Sequence, residues 1–332
     1  MGGEMTRQSG HASDDLAEPG YLRLFCTGEL EQRARTAWAM LSCCELCPHR
    51  CGANRLAGER GFCAMDSQSK VASWNLHAWE EPPISGERGS GTIFFSGCTG
   101  RCQFCQNYPI SQLGYGELVS VERLAGMMLE LQRKGAHNIN LVTPTHFVPA
   151  ILAALPHAIR HGLRLPLVYN TGGYERVEIL QLLEGIVDVW LPDAKYADDA
   201  TARRLSGLRD YVKYNCAALR EMFRQVGEGL VLDGEGLARR GMIVRHMVLP
   251  RGLAGTAAVL SWIARELSPL VHVSLMDQYF PAHQAVGDPI LGRKVSPDEY
   301  AAALEAFDAS GLENGWCQQT GADGADWEWA ED

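Results

Sequence analysis

Eight residues, Cys98-Thr99-Gly100-Arg101-Cys102-Gln103-Phe104-Cys105, carry the densest chemistry in the chain. Their C-x3-C-x2-C spacing follows a short apolar run, Thr92-Ile93-Phe94-Phe95. Three thiolates that close together, on a loop leaving a strand, can hold three corners of a cubane iron–sulfur cluster. No fourth cysteine is local to them, so one iron would stay open to a small molecule. A closed structural zinc site takes four ligands. Three buried or zinc-bound thiols are the alternative that spacing alone allows.

A second constellation precedes the first: Cys44-x2-Cys47-x3-Cys51-x11-Cys63, with Cys43 beside it. Pro48, Gly52, Gly58 and Gly61 punctuate it, which places its ligands on tight loops rather than on one helix. Four thiolates suit either a structural zinc or an auxiliary cluster, and the sequence does not separate the two. Unligated thiols are the bland alternative. Eleven cysteines point to metal ligation or redox chemistry in a reducing compartment, not to a disulfide framework.

The elements that must position these thiols follow from periodicity. Residues 21–42 read as helical, with Leu30, Ala34, Ala37, Trp38 and Leu41 on one face. Residues 71–90, with Pro82-Pro83, read as a connection. From Thr92 on, short apolar runs alternate with amphipathic stretches. The runs are Thr92–Ser96, Asn138–Thr143, Leu165–Asn170, Ile186–Leu191, Met242–Leu249 and Val271–Met276. Helices are expected near 120–134, 147–161, 175–184, 209–226, 255–267 and 296–310, with Ser120 as an N-cap and Gly135 as a stop. Repeated strand–helix units imply a parallel α/β sheet, here a partial or complete β/α barrel whose site loops leave the carboxyl ends of the strands.

Composition narrows the function classes. At 332 residues the chain has room for one barrel-sized domain plus an extension. The expected division is 1–20 disordered, 21–90 a helix and cysteine-rich module, 91–320 the barrel, and 321–332 an acidic tail. The net charge of −10 is concentrated at the ends: four acids against Arg7 in residues 1–20, and five acids without a base in 323–332. Both ends therefore read as solvated. No basic stripe suits nucleic acid, and no run approaches the ~18 apolar residues of a membrane span. Without the apolar core of a signal peptide at its start, the chain is expected in the cytoplasm.

Taken together, the motifs resemble the radical S-adenosylmethionine (SAM) proteins, in the branch related to pyruvate formate-lyase activating enzymes. The resemblance runs through Cys44-Glu45-Leu46-Cys47-Pro48-His49-Arg50-Cys51-Gly52, Gly58-Glu59-Arg60-Gly61-Phe62-Cys63, and Phe95-Ser96-Gly97-Cys98. It continues in Cys102-Gln103-Phe104-Cys105-Gln106-Asn107-Tyr108, Asn138 to His146, Tyr169-Asn170-Thr171-Gly172-Gly173-Tyr174, and Leu191-Pro192-Asp193-Ala194-Lys195-Tyr196. Val248 to Leu253 and Ser274 to Pro281 complete it.

The resemblance implies that Cys98, Cys102 and Cys105 ligate a [4Fe–4S] cluster and that SAM chelates its open iron. Reductive cleavage of SAM would then give a radical that abstracts hydrogen, as in glycyl-radical-enzyme activases. Phe104 fits the aromatic position before the third cysteine. Asp193 and Lys195 form the D-x-K arrangement that activases place near SAM, and their spacing aims both side chains at one face. Arg245 would meet the SAM carboxylate or ribose, with Arg251 in the following loop as the alternative, and the backbone of Asn170, Thr171, Gly172 and Gly173 would approach SAM. The Gly-Gly-Glu segment of many relatives is replaced here by Thr143-Pro144-Thr145-His146. An enzyme of this kind takes electrons from a carrier such as flavodoxin or ferredoxin. Its substrate, protein or small molecule, is not specified.

Two rivals remain. One is a radical SAM tailoring enzyme for small molecules, including aminocarboxypropyl transfer. The other is a non-catalytic iron–sulfur or zinc protein. His146 is either a functional loop residue or a capping histidine; His283 faces either the site or solvent. Cys216 and Cys317 are read as non-ligands.

Overall fold

The computed structural model describes residues 18–321 and 324–329. Two helices open it, α1 (Tyr21–Cys26) and α2 (Glu29–Ala39), followed by loops carrying the second cysteine constellation. Next come β1 (Ser69–His77), α3 (Pro82–Ser85), β2 (Ser90–Phe95), α4 (Tyr108–Ser111), β3 (Glu117–Val119), α5 (Val121–Arg133) and β4 (Ile139–Val142). The chain continues through α6 (Val148–Arg160), β5 (Leu167–Thr171), α7 (Val177–Leu182), β6 (Val189–Pro192), α8 (Asp199–Ser206) and α9 (Tyr211–Val226). It ends with β7 (Val231–Leu232), β8 (Ala238–Met247), α10 (Thr256–Glu266), β9 (His272–Met276), α11 (Pro297–Ala309), β10 (Gly315–Gly321) and β11 (Gly324–Trp329).

Strands β2, β4, β5, β6, β8, β9 and β10 pair in that order, all in parallel. Antiparallel strands flank them: β1 and then β3 beyond β2, and β11 beyond β10. The two edges of this path are not paired with each other, so the architecture is a partial β/α barrel. Strand periodicity of two sorts the side chains. Ile139, Leu141, Leu167, Tyr169, Trp190, Val244 and Leu275 pack in the main core with the helices. Val168, Val189, Leu191 and Ile243, from alternate positions, form an interior layer. Asn140, Asn170 and Arg245 share that interior parity.

Helix boundaries follow local chemistry. The Ser120 side chain accepts the Arg123 N–H and caps α5, whose Leu124, Met128 and Leu131 are buried. The helix expected over 21–42 is two helices, because Gly28 takes φ 77 between them. Helix α8 was not anticipated. Asp198 caps it and Gly207 ends it in the left-handed region, but few of its residues are apolar enough to mark a face. No helix among the described residues is long and apolar enough to cross a membrane.

Two expectations need correction. Residues 71–90 are not merely a connection: β1 pairs along β2, and Glu81–Ser85 reaches the barrel interior, where Ile84 joins the layer of Val168, Val189, Leu191 and Ile243. Acidic residues 324–329 are not a free tail, since β11 pairs with β10. The expectation of disorder for residues 1–17 lies outside the described residues. Gly20 already donates its N–H to Asp188 at 3.1 Å, anchoring the start of α1.

Candidate functional site

The loop after β2 carries the first cysteine set at the carboxyl end of the parallel sheet, where barrel sites form. Cys98 and Cys102 present their sulfurs to a common space: a Cβ added to Gly100 would lie 3.9 Å from one and 3.7 Å from the other. Polar hydrogens already address these sulfurs. The Gly100 N–H donates to Cys98 Sγ at 3.3 Å, and Ser206 Oγ to Cys102 Sγ at 3.0 Å. Cys105 Sγ lies 3.2 Å from Ser111 Oγ. Burial, reinforced by the Cys102 thiol, pushes Cys98 up to about 12. Burial also raises Cys102, with Lys195 opposing. A bound metal reverses that balance by taking the thiolate directly.

These residues fit an iron–sulfur cluster: three thiols on one loop, with hydrogen bonds to sulfur of the kind that tune such centres. No three His, Cys, Asp or Glu side chains among the described residues are grouped as a shell for a single ion. A cluster has a different requirement, because each thiolate bonds its own iron and the sulfurs stand farther apart.

Facing the thiols is a chain of charges. Lys195 Nζ pairs with Asp193 Oδ2, and Arg245 Nε donates to Asp193 Oδ1 at 3.0 Å. Arg245 Nη2 also donates to Asn170 Oδ1 at 2.7 Å. Burial alone would raise Asp193, but Lys195 and Arg245 outweigh it and hold the carboxyl below its usual range. Burial disfavours charge on Lys195 too, yet Asp193 and then Cys102 bring it above its ordinary value. The Tyr211 hydroxyl accepts the Lys195 N–H at 2.9 Å and contacts the carbonyls of Gly172 and Asp193, both at 3.2 Å. Thus Asn170, Gly172, Asp193, Lys195 and Arg245 come together. Thr171 turns away to Glu175, and Phe104 is buried with its ring edge-on to Tyr279 at 5.7 Å.

Sequence reasoning missed the acids beneath this chain. Glu80 Oε2 lies 3.6 Å from Arg245 Nη1, and Glu80 Oε1 accepts from Asn170 at 3.4 Å. Burial raises Glu80 against the pull of Arg245, and pushes neighbouring Glu81 up to about 7. The only signal was a Glu-Glu pair stopped by Pro82-Pro83, and no apolar period announces that it turns inward.

The second cysteine set is packed against the first. Cys44, Cys47 and Cys63 are buried while Cys51 is exposed. Burial raises Cys47 and Cys63, and each is pushed further by other thiols of the quartet. Among them sits Arg55, 1% exposed, with Nη1 3.8 Å from Cys44 Sγ. Its other partners are carbonyls, those of Asp66 at 2.6 Å and His146 at 2.7 Å. No carboxylate among the described residues forms an ion pair with it. A buried cation of this kind calls for negative charge nearby, which thiolates of the quartet, ionised by a metal centre, would provide. On the seam between this module and α8 lies a cavity of about 420 Å³ lined by His49, Cys51, Phe62, Arg203, Gly207 and Arg209.

The remaining candidates are placed as follows. His146 is buried, lies 2.8 Å from the Ser96 carbonyl through Nε2, and is lowered by burial to about 3, so its ring is neutral. His283 stacks on Tyr108 at 4.7 Å. Cys43 is exposed beside the quartet, while Cys216 and Cys317 are partly buried on α9 and β10.

The family model of the Radical SAM superfamily matches residues 92–247. The uncharacterized protein MJ0674 of Methanocaldococcus jannaschii is 30% identical over 296 residues, covering 86% of this chain and 80% of that one. Among solved structures, a radical SAM methyltransferase from Sphaerobacter thermophilus aligns with TM-score 0.47 at 17% identity, over 70% of this chain and 67% of its own. Methylornithine synthase (PylB) aligns with TM-score 0.41 at 15% identity, over 64% and 60%.

Proposed function

The chain belongs to the radical SAM superfamily, and from that membership we propose an activase-like enzyme that cleaves SAM reductively to start hydrogen abstraction. Cys98, Cys102 and Cys105 would hold the [4Fe–4S] cluster. When bound, that cluster supplies one-electron reduction of the sulfonium of SAM, which breaks a carbon–sulfur bond homolytically.

The chain's own residues bind and orient. Lys195 and Asp193, with Arg245 behind them, offer complementary charges to the zwitterionic methionine portion of SAM. Asn170 and the Gly172 backbone border the same space. Phe104 and Tyr279 close one side with apolar surface, limiting water at the reacting bond. Cys44, Cys47, Cys51 and Cys63 would hold a second metal centre, iron–sulfur or zinc. Electrons would come from a small carrier such as flavodoxin or ferredoxin, and the substrate is a protein or small molecule.

One observation supports this reading above the others. The Asp193–Lys195–Arg245 chain lies at the same end of the barrel as the three thiols, with Lys195 close enough to act electrostatically on both Cys98 and Cys102. Anaerobic reconstitution with iron, sulfide, SAM and dithionite tests it. Deoxyadenosine is the expected product, lost in each of Cys98→Ala, Cys102→Ala and Cys105→Ala. Methylthioadenosine would shift the reading to aminocarboxypropyl transfer. Cleavage undiminished in all three variants would remove it.

A further inference from the structure

We propose that metal binding by the amino-terminal cysteine quartet positions the loop bearing Cys98 and Cys102, with His49 as the positioning residue that joins them. The inference rests on the radical SAM reading above. Alternate residues of the loop, Gly97, Thr99 and Arg101, all touch the quartet's own segments. A Cβ on Gly97, which holds φ 78, would lie 2.8 Å from the Cys63 carbonyl oxygen, so only glycine permits the approach. The His49 Nε2–H donates to the Thr99 carbonyl at 2.7 Å. Arg101 Nη2 donates to the Phe62 carbonyl at 2.6 Å, with its guanidinium 5.3 Å above the Phe62 ring. That ring stacks on His49, centroids 3.7 Å apart and planes 19° apart. Cys98 lies between the first two contacts, and Cys102 follows the third.

At the module end, each contact sits beside a thiol. Phe62 immediately precedes Cys63. His49 lies between Cys47 and Cys51 in the chain. One residue therefore stands between two quartet cysteines in the chain and bonds the cluster loop through its ring. A second route runs from Cys44 through Arg55 to the His146 carbonyl, and from the His146 ring to the Ser96 carbonyl. The loop's other anchor is α8, whose Ser206 and Leu205 carbonyls accept from Arg101 and Gln103.

Between Ser42 and Ser69 the quartet segment has a single helical turn, Arg55–Ala57, as its only regular element. Its loops are held by turn hydrogen bonds, such as the Cys44 N–H to the Ala53 carbonyl and the Gly52 N–H to the Cys44 carbonyl, both at 3.0 Å, and not by a helix or a sheet. A four-thiolate metal would cross-link them, so metal affinity becomes local folding energy. Filling the quartet then holds His49 and Phe62 against the cluster loop. Losing the metal releases the loop on that side while all three of its cysteines remain.

The test compares three variants in reconstituted full-length protein: Cys47→Ser with Cys51→Ser, His49→Ala, and His49→Gln. Readouts are metal content, the electron paramagnetic resonance spectrum of the reduced cluster with and without SAM, and SAM affinity. The double variant should lose the module's metal and show an altered cluster spectrum. His49→Ala should keep both metal centres yet shift the spectrum and weaken SAM binding about five- to tenfold, the scale of one lost hydrogen bond. His49→Gln, whose amide can still donate to Thr99, should recover most of that loss. A quartet emptied of metal with spectrum and SAM affinity unchanged would overturn the proposal. So would His49→Ala indistinguishable from wild type, which decides the matter should the double variant not fold. Wild-type protein whose spectrum does not respond to SAM would instead refute the underlying radical SAM reading.

Discussion

At the scale of single residues, Asp193 has the sharpest role, because two cations converge on its one carboxylate. A charge-assisted hydrogen bond contributes roughly 1.5–3 kcal/mol. Lys195→Ala should therefore weaken SAM binding by about one to two orders of magnitude, with iron content unchanged. Asp193→Asn should lose as much or less. Titration of anaerobic, cluster-replete protein measures both; unchanged affinity would make the pair a structural element of the barrel rim. Glu175 carries a different signature. It is buried, bonded by the hydroxyls of Thr145 and Thr171, without an ion-pair partner among the described residues, and burial pushes it up to about 7. An acid raised in the folded state binds its proton more tightly than in the unfolded chain. Its stabilisation is thus full below the ordinary glutamate range and lost as pH climbs through about 7. Unfolding free energy should fall between those limits by up to roughly 3 kcal/mol. Glu175→Gln, followed by denaturant melts across the range, should flatten the slope.

At the scale of elements, the segment joining β1 to β2 acts as the barrel's floor. Ile84 is fully buried against strand residues from β5, β6 and β8, so Ile84→Ala should cost about 2–5 kcal/mol of stability, read from thermal or denaturant unfolding. Little of this was legible in the sequence. The runs at Asn138–Thr143 and Val271–Met276 and the helices near 120–134 and 296–310 announce themselves through apolar periodicity and caps, and they fold where that pattern places them. β1 does not. It is half-exposed along one edge, and its partner is fixed by a pairing that no local period encodes. Glu80 was hidden for a related reason: what makes it interior is Arg245, which lies far along the chain, and single-sequence reading sees spacing, not encounter. Asp193 and Lys195 were legible because their relation is local, two residues apart on one face. That Arg245 and Asn170 complete the same network is a tertiary fact.

At the scale of the whole molecule, two cysteine-rich segments that look modular in sequence share one seam. Helices α1 and α2 tie the amino-terminal part to the barrel from another side: Tyr21 donates to the Leu165 carbonyl at 2.8 Å, and Arg33 to the Leu182 carbonyl at 3.2 Å. The floor has a practical corollary for anyone trimming this protein. The stretch matched by the family model, residues 92–247, is a unit of sequence similarity and not a unit of folding. Cutting there discards Glu80, a counter-charge of Arg245, and strips Ile84 from the interior layer. It also leaves both outer strands of the remaining sheet without β1 and β9 to pair with. Such a fragment would expose two raw sheet edges and an underpaired guanidinium at once, the conditions under which chains aggregate. On the amino-terminal side, the boundary that keeps Glu80, Ile84, β1 and the α1 and α2 anchors lies at the start of α1, some seventy residues earlier in the chain.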